Sequence, residues 1–188
     1  MRLLDNFLQR WRGSVARRWV PRGSRVLDVG CHRGEFLQSL GSSLQFGLGL
    51  DPLAPPLTTP RWTLSRDRFP TSKPLAPNSF DVVVMLATLE HVQNKDELVR
   101  ECFRILRPGS RVVVTVPSQL VDPILILLTR LRLVDGMSLD EHHGFDPCDT
   151  QPLFFRHGFQ LVCWREFQFG LNHLFVFSKP EAVTRAPR

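Results

Sequence analysis

Lysine is almost missing from this chain: of its 24 basic residues, 3 are lysine and 21 arginine. That imbalance runs the whole length, so it reads as compositional bias before it reads as a dedicated basic surface. The four cysteines, Cys31, Cys102, Cys148 and Cys163, contain no CxxC pair. Without that spacing, no compact zinc motif forms around His142, His143 and Cys148, and no bound metal is expected. No secretory signal is visible, so reduced thiols and a cytoplasmic setting are the expectation. No stretch approaches the roughly 18 apolar residues of a membrane span. The most apolar run, DPILILLTRLRLV, is broken by Arg130 and Arg132. Internal repeats, long polar linkers and a recognisable RNA-recognition pattern are absent as well.

What remains suits a single packed domain. The chain has 188 residues, 43% of them hydrophobic, with 14 phenylalanines, which argues for a full core and against disorder. Its formal charge of +6 is unevenly placed, because residues 1–25 carry seven arginines (Arg2, Arg10, Arg12, Arg17, Arg18, Arg22, Arg25) against Asp5 alone. From Val26 onward 17 basic residues balance 17 acidic ones. The positive segment could attract an anionic substrate, a nucleic acid or a lipid head group. The expected organisation is an amphipathic basic helix or cap over 1–24, a domain over 25–180 and a flexible tail over 181–188.

Leu3, Leu4, Phe7, Leu8, Trp11, Val15 and Trp19 recur at helical spacing and predict a helix over 3–19, stopped by Pro21 and Gly23. A strand at Val26–Val29 enters a glycine-rich turn, followed by a helix over Glu35–Leu40 and a strand at Phe46–Leu50. After a proline-rich stretch with a short strand near Arg61–Leu64, FDVVVML at Phe80–Leu86 predicts a strand buried on both faces. Asn94 and Glu97 form a capping pair for a helix that Pro108-Gly109 should end. Arg111–Val116 is a further strand. Asp122-Pro123 and Asp146-Pro147 each open a helix, over 123–134 and up to Gly158. Gln160–Arg165 and Leu171–Ser178 should pair as an antiparallel ribbon. Alternating strands and helices indicate an α/β sheet covered on both faces.

The turn after the first strand carries the functional signal. Gly30 and Gly34 stand where side chains would block a ligand or close helix packing, and Asp51 ends the next strand 21 residues after Gly30. There its carboxylate can accept hydrogen bonds from two vicinal ribose hydroxyls, so an adenosine-type ligand is expected. Asp28 precedes the turn. A carboxylate there is unfavourable beside a dinucleotide phosphate and favourable beside a cationic sulfonium or an amino group. That contrast favours S-adenosylmethionine over NAD.

The stretches VLDVGCHRG, GLGLD, NSFDVVVMLATLEHV and LRPGSRVVVTVPS resemble successive motifs of the class I S-adenosylmethionine-dependent methyltransferases, of the small methyltransferase type 11 kind. The resemblance runs from about Arg25 to Pro117, with family-like end strands through Lys179. It implies a Rossmann-like fold with a mostly parallel seven-stranded sheet of order 3-2-1-4-5-7-6 and an antiparallel last strand. It also implies that Asp28, Gly30, Cys31, His32 and Gly34 surround the methionine portion of the cofactor. Asp51 would hold the ribose, Asp67 would approach the adenine amino group, and Leu86, Ala87 and Thr88 would line the cofactor. The family commonly has glycine where this chain has His32, so the turn must accommodate a ring.

Methyl transfer needs no metal and no covalent nucleophile, since much of it can come from orientation and exclusion of water. An acceptor that loses a proton benefits from a general base. His91, His142 and His143 are the candidates for that catalytic role. The apolar start of the 123–134 helix suits core packing, an apolar acceptor or shallow contact with a membrane surface. The expected reaction is in-line methyl transfer to a small organic or lipid-like acceptor. A non-catalytic methyltransferase-like partner protein, an RNA or protein methyltransferase and an NAD-dependent oxidoreductase are the alternatives. MLATLEH stands after the fourth strand in place of an NPPY or DPPY tetrapeptide, so methylation of a planar nucleobase amine is not favoured. The sequence leaves the acceptor atom and the oligomeric state open.

Overall fold

Val82, Val83, Val84 and Met85 have no exposed surface, which is why their segment shows no polar alternation. They belong to the central strand of the protein, whose computed structural model describes residues 3–118 and 145–181. In chain order the elements are α1 (Leu3–Arg17), β1 (Ser24–Val29), α2 (Glu35–Leu40), β2 (Leu44–Leu50), β3 (Leu57–Thr58), β4 (Trp62–Ser65) and β5 (Phe80–Leu86). They continue with α3 (Lys95–Ile105), β6 (Leu106–Pro117), α4 (Thr150–Arg156), β7 (Gln160–Phe167) and β8 (Asn172–Ser178).

The sheet corrects the expectation of seven strands. Among the described residues it has eight, in the order β3-β4-β2-β1-β5-β6-β8-β7. The addition is β3, which pairs antiparallel with β4 at the sheet edge, Leu57 opposite Leu64 and Thr58 opposite Thr63. Thr59 makes the reversal: its N–H donates to the Trp62 carbonyl at 2.8 Å and its hydroxyl accepts from the Trp62 N–H at 3.0 Å. Two residues are too few to leave a hydrophobic period among the prolines, so this strand has no sequence signature. β1, β2, β4, β5 and β6 are mutually parallel. β8 runs antiparallel to both β6 and β7, which gives the expected ribbon.

Alternation along the strands divides the core into two layers. Val26, Val82, Val84, Val113, Leu174 and Val176 pack with Val15 and Ala16 of α1 and Leu37 of α2. Leu27, Val83, Met85, Val112 and Val114 face the other way, onto Leu98 and Cys102 of α3 and Phe154 of α4. Phe154 and Phe177 stack at 4.2 Å between ring centres. Each fully buried side chain of this size contributes about 1.5–3 kcal/mol of hydrophobic stabilisation.

Two helix ends differ from expectation. α1 stops at Arg17, before Trp19, because Trp19 N–H donates to the Ala16 carbonyl and Val20 N–H to that of Arg17, a tightened last turn. α3 stops at Ile105, and Pro108 and Gly109 lie inside β6. Leu106 is fully buried opposite Phe80, so packing draws the chain into the sheet early. The register then shifts between Phe80 and Val82, which leaves Pro108, without a donor, outside the regular ladder. The predicted capping pair is formed: Asn94 Oδ1 accepts from the Glu97 N–H at 3.1 Å and its amide donates to Glu97 Oε2 at 2.9 Å. Asp146 caps the turn before α4 by accepting from the Cys148 N–H at 2.8 Å.

A buried polar chain joins α1 to the far ribbon. Gln168, in the β7–β8 turn, donates to the Leu8 carbonyl at 2.8 Å and accepts from the Asn172 amide at 2.6 Å. Among the described residues, no helix is long and apolar enough to cross a membrane. The expected helix over 123–134 lies outside the described residues.

Candidate active site

The carboxyl ends of β1, β2, β4 and β5 converge where the sheet order reverses, the place at which open α/β sheets bind ligands. From β1 the chain enters the turn at Gly30, which has φ +77° and donates to the Leu50 carbonyl at 2.8 Å. A Cβ on Gly30 would lie 2.3 Å from Thr88 Oγ1, so the Thr88 side chain already fills the space a larger residue would need. Gly34 has φ +80°, and a Cβ there would come within 2.9 Å of Leu64 Cδ2. Both glycines are therefore required by backbone conformation and by close packing.

His32 occupies the third special position of the turn, with φ +50°. The strain of a left-handed non-glycine residue, about 1–2 kcal/mol, is opposed by two contacts. Its N–H donates to Asp51 Oδ2 at 3.0 Å, and its ring Nδ1 lies 3.1 Å from Glu35 Oε1. The ring is thus held on the outer side of the turn, half exposed. Ala87 is the other left-handed residue at this edge, at φ +54°, and its N–H donates to both the carbonyl and the hydroxyl of Thr115 at 3.0 Å. Two strained non-glycine residues thus stand at the ends of adjacent strands.

Asp51 has a structural part in the turn that the sequence did not indicate. Besides accepting from His32, it accepts from the Leu53 N–H through Oδ1 at 2.7 Å. It ties β2 to the β1–α2 turn, and each oxygen keeps a lone pair for a further donor. Asp67 follows β4 beside this end of β2, and its Oδ1 accepts from the Arg68 N–H at 2.8 Å. Cys31 turns inward: its thiol is 4% exposed and packs with Leu64 and Gly49. Its pKa is pushed up by burial, then by Asp28 and Asp51, so this thiol is no nucleophile and only the Cys31 backbone faces the turn.

Asp28 is the most informative group. It is 2% exposed, and its Oδ2 has no hydrogen-bond partner among the described residues. Burial, followed by the charges of Glu35 and Asp51, raises its pKa to about 7. A buried carboxylate with an empty acceptor, flanked by two more carboxylates, fits a cationic ligand. Glu35 is a member of this group that the sequence reading missed. An acidic residue in the first turn of α2, three positions after His32, was the available signal.

Past Thr88, a single turn of 3₁₀ helix, Leu89–His91, closes the edge. His91 is 31% exposed, with Nε2 3.9 Å from Glu90 Oε1. Glu90 is 3% exposed, and neither of its oxygens has a hydrogen-bond partner among the described residues. Burial raises its pKa, while His91, Arg12 and Lys95 oppose that rise. A carboxylate so placed costs stability. Glu90→Gln is expected to raise stability at pH 8 by about 1 kcal/mol, read as a higher thermal midpoint; a lower midpoint would make Glu90 a fold residue. His142 and His143 lie outside the described residues.

The chain matches the methyltransferase domain family over residues 4–166. It is 33% identical over 99 residues to a ubiquinone biosynthesis O-methyltransferase of Pseudomonas fluorescens, covering 48% of this chain and 43% of that protein. It is 30% identical over 152 residues to a probable S-adenosylmethionine-dependent methyltransferase of Mycolicibacterium smegmatis, covering 72% of this chain and 56% of that one. The chain thus spans about half the length of these curated relatives. In fold it is similar to a putative methyltransferase of Haloferax volcanii, solved with the Trm112 methyltransferase activator, with a TM-score of 0.69 at 17% identity over 91% of this chain and 90% of that one.

Proposed function

The chain belongs to the methyltransferase domain family, within the class I S-adenosylmethionine-dependent methyltransferases, and we propose that it transfers a methyl group from S-adenosylmethionine to a small organic acceptor. The observation that carries this reading is the buried Asp28 carboxylate with its unpartnered oxygen, beneath a turn that admits no side chain at Gly30. When bound, S-adenosylmethionine supplies a methyl carbon activated by a positive sulfur that departs as a neutral thioether.

Asp28, Glu35 and Asp51 provide the negative field for the cationic end of the cofactor, and the free lone pairs of Asp51 take the ribose hydroxyls. Gly30, Gly34 and the backbone of Cys31 and His32 form the floor. Leu86, Ala87 and Thr88 would form the wall toward β5, and Asp67 would approach the adenine amino group. The acceptor would enter beyond Thr88, toward Glu90 and His91. An acceptor oxygen that loses a proton would give it to His91 or to one of His142 and His143. The similarity to the ubiquinone biosynthesis O-methyltransferase, whose name specifies an oxygen acceptor, supports a lipid-like hydroxyl acceptor.

The test is incubation with methyl-labelled S-adenosylmethionine and fractionated cell extract, followed by mass analysis of labelled products. A labelled small molecule that disappears with Asp51→Ala supports the reading. Label recovered only in RNA or protein, or no label transferred at all, would refute it.

A further inference from the structure

Phe169 is 93% exposed, at the tip of the β7–β8 hairpin. Its exposure is held by the fold. Gln168 and Phe169 are consecutive non-glycine residues with φ +53° and +59°, a strained pair that would relax without an anchor. The anchor is the buried Gln168 side chain, bonded to the Leu8 carbonyl and to Asn172. Trp11 of α1 stands edge-on to Phe169 at 5.9 Å and to Phe7 at 5.7 Å, and Phe7 is 57% exposed. Three aromatic side chains from two distant segments thus meet on the surface, beside an open groove of about 390 Å3 lined by Phe7, Arg10, Trp11 and Ser14.

Charge indicates what this surface meets. Phe7, Trp11 and Ser14 follow one another at four- and three-residue steps along one face of α1, with Trp11 partly buried against the core and Arg18 just past the helix end. Arg10 flanks the aromatic end and Arg18 lies just past the other end of α1; both are exposed. The whole formal charge of +6 resides in residues 1–25. An apolar tip with basic residues beside and behind it matches the layers of a lipid boundary, apolar below and anionic above. A nucleic acid would need a flat ring to stack on. Here the Trp11 plane is turned 66° from Phe7 and 84° from Phe169, so the three rings do not line up for successive bases.

We propose that Phe7, Trp11 and Phe169, with Arg10 and Arg18, form a docking site for an anionic phospholipid surface. The hairpin tip lies at the carboxyl end of β6, because Asn172 pairs with both Phe167 and Pro117. Docking therefore turns the ligand-binding edge of the sheet toward the bilayer, where an apolar acceptor would be dissolved. The docking itself requires no methyl transfer and stands or falls apart from the acceptor reading.

The test is co-sedimentation of the full chain with vesicles of phosphatidylcholine alone and with about one-third phosphatidylglycerol. The expected result is binding to the mixed vesicles at least about tenfold tighter than to the neutral ones. Phe7→Ser/Phe169→Ser and, separately, Arg10→Glu should each weaken it at least about tenfold, with thermal midpoint and S-adenosylmethionine affinity unchanged. Phe169→Ser alone, at a side chain almost wholly in solvent, keeps the test valid if the double variant misfolds. Equal sedimentation of parent and Phe169→Ser, or no sedimentation with either vesicle, would overturn the proposal. So would loss of an RNA 20-mer complex or of a dimer in the double variant without any vesicle binding, which would assign the surface to nucleic acid or to a second copy.

Discussion

Asp51→Ala is expected to weaken S-adenosylmethionine binding at least about 100-fold, measured by titration calorimetry, with the fold retained. Two bonds from ribose hydroxyls to an ionised carboxylate contribute about 1.5–3 kcal/mol each, which corresponds to a loss of 10²–10⁴ in affinity. The substitution also releases the His32 and Leu53 N–H groups that Asp51 accepts. Both donors lie on the exposed side, so water replaces the lost acceptor and global stability changes little. The left-handed His32 loses its tether, however, and the turn becomes less preformed. Asp51→Asn separates the two effects: one amide oxygen can still accept, so the turn is partly held while the charge is gone. Parent-like isotherms for Asp51→Ala would remove Asp51 from the cofactor site.

Asp28→Asn should do two opposite things. In the ligand-free protein it should raise stability at pH 8 by roughly 1–3 kcal/mol, because a buried charge is replaced by a neutral amide that still lacks one partner. The sign follows from linkage. The folded pKa is raised from 3.8 to about 7. Below pH 4 the group is protonated in both states and costs nothing. Between about pH 4 and 7 the unfolded chain releases the proton that the fold retains, so stability falls as pH rises, and above 7 the full cost, roughly 4 kcal/mol, is present. Asp28→Asn should flatten that slope, read from thermal midpoints across the range. The same substitution should weaken S-adenosylmethionine by at least about tenfold, since the carboxylate nearest the cationic end is lost. A variant that is less stable at pH 8 and binds normally would make Asp28 a scaffold residue.

Part of the candidate site is legible in the sequence. Gly30, Gly34 and Asp51 stand out because a tight turn, a close approach and a ribose acceptor each demand one residue type at a fixed interval. The burial of Glu90 has no sequence mark, because a single carboxylate beside a histidine reads as surface; it arises from what packs over the end of β5. Glu35 was similarly silent, since its hydrogen bond with the His32 ring depends on that ring turning outward. β3 escaped notice because two residues among prolines carry no period. The end of α3 was displaced because Pro108 is a strong stop only for a chain still helical when it arrives, and burial of Leu106 had already drawn the chain into the sheet.

The sequence alone determined the alternation of strands and helices, the buried run of β5 and the order of glycines and aspartates around the first turn, because these are local consequences of periodicity and backbone sterics. Only the tertiary structure decided which carboxylates lack partners, where His32 points and that Phe7, Trp11 and Phe169 share one surface. Those are relations between residues up to 162 positions apart, and packing, which no local pattern encodes, sets them.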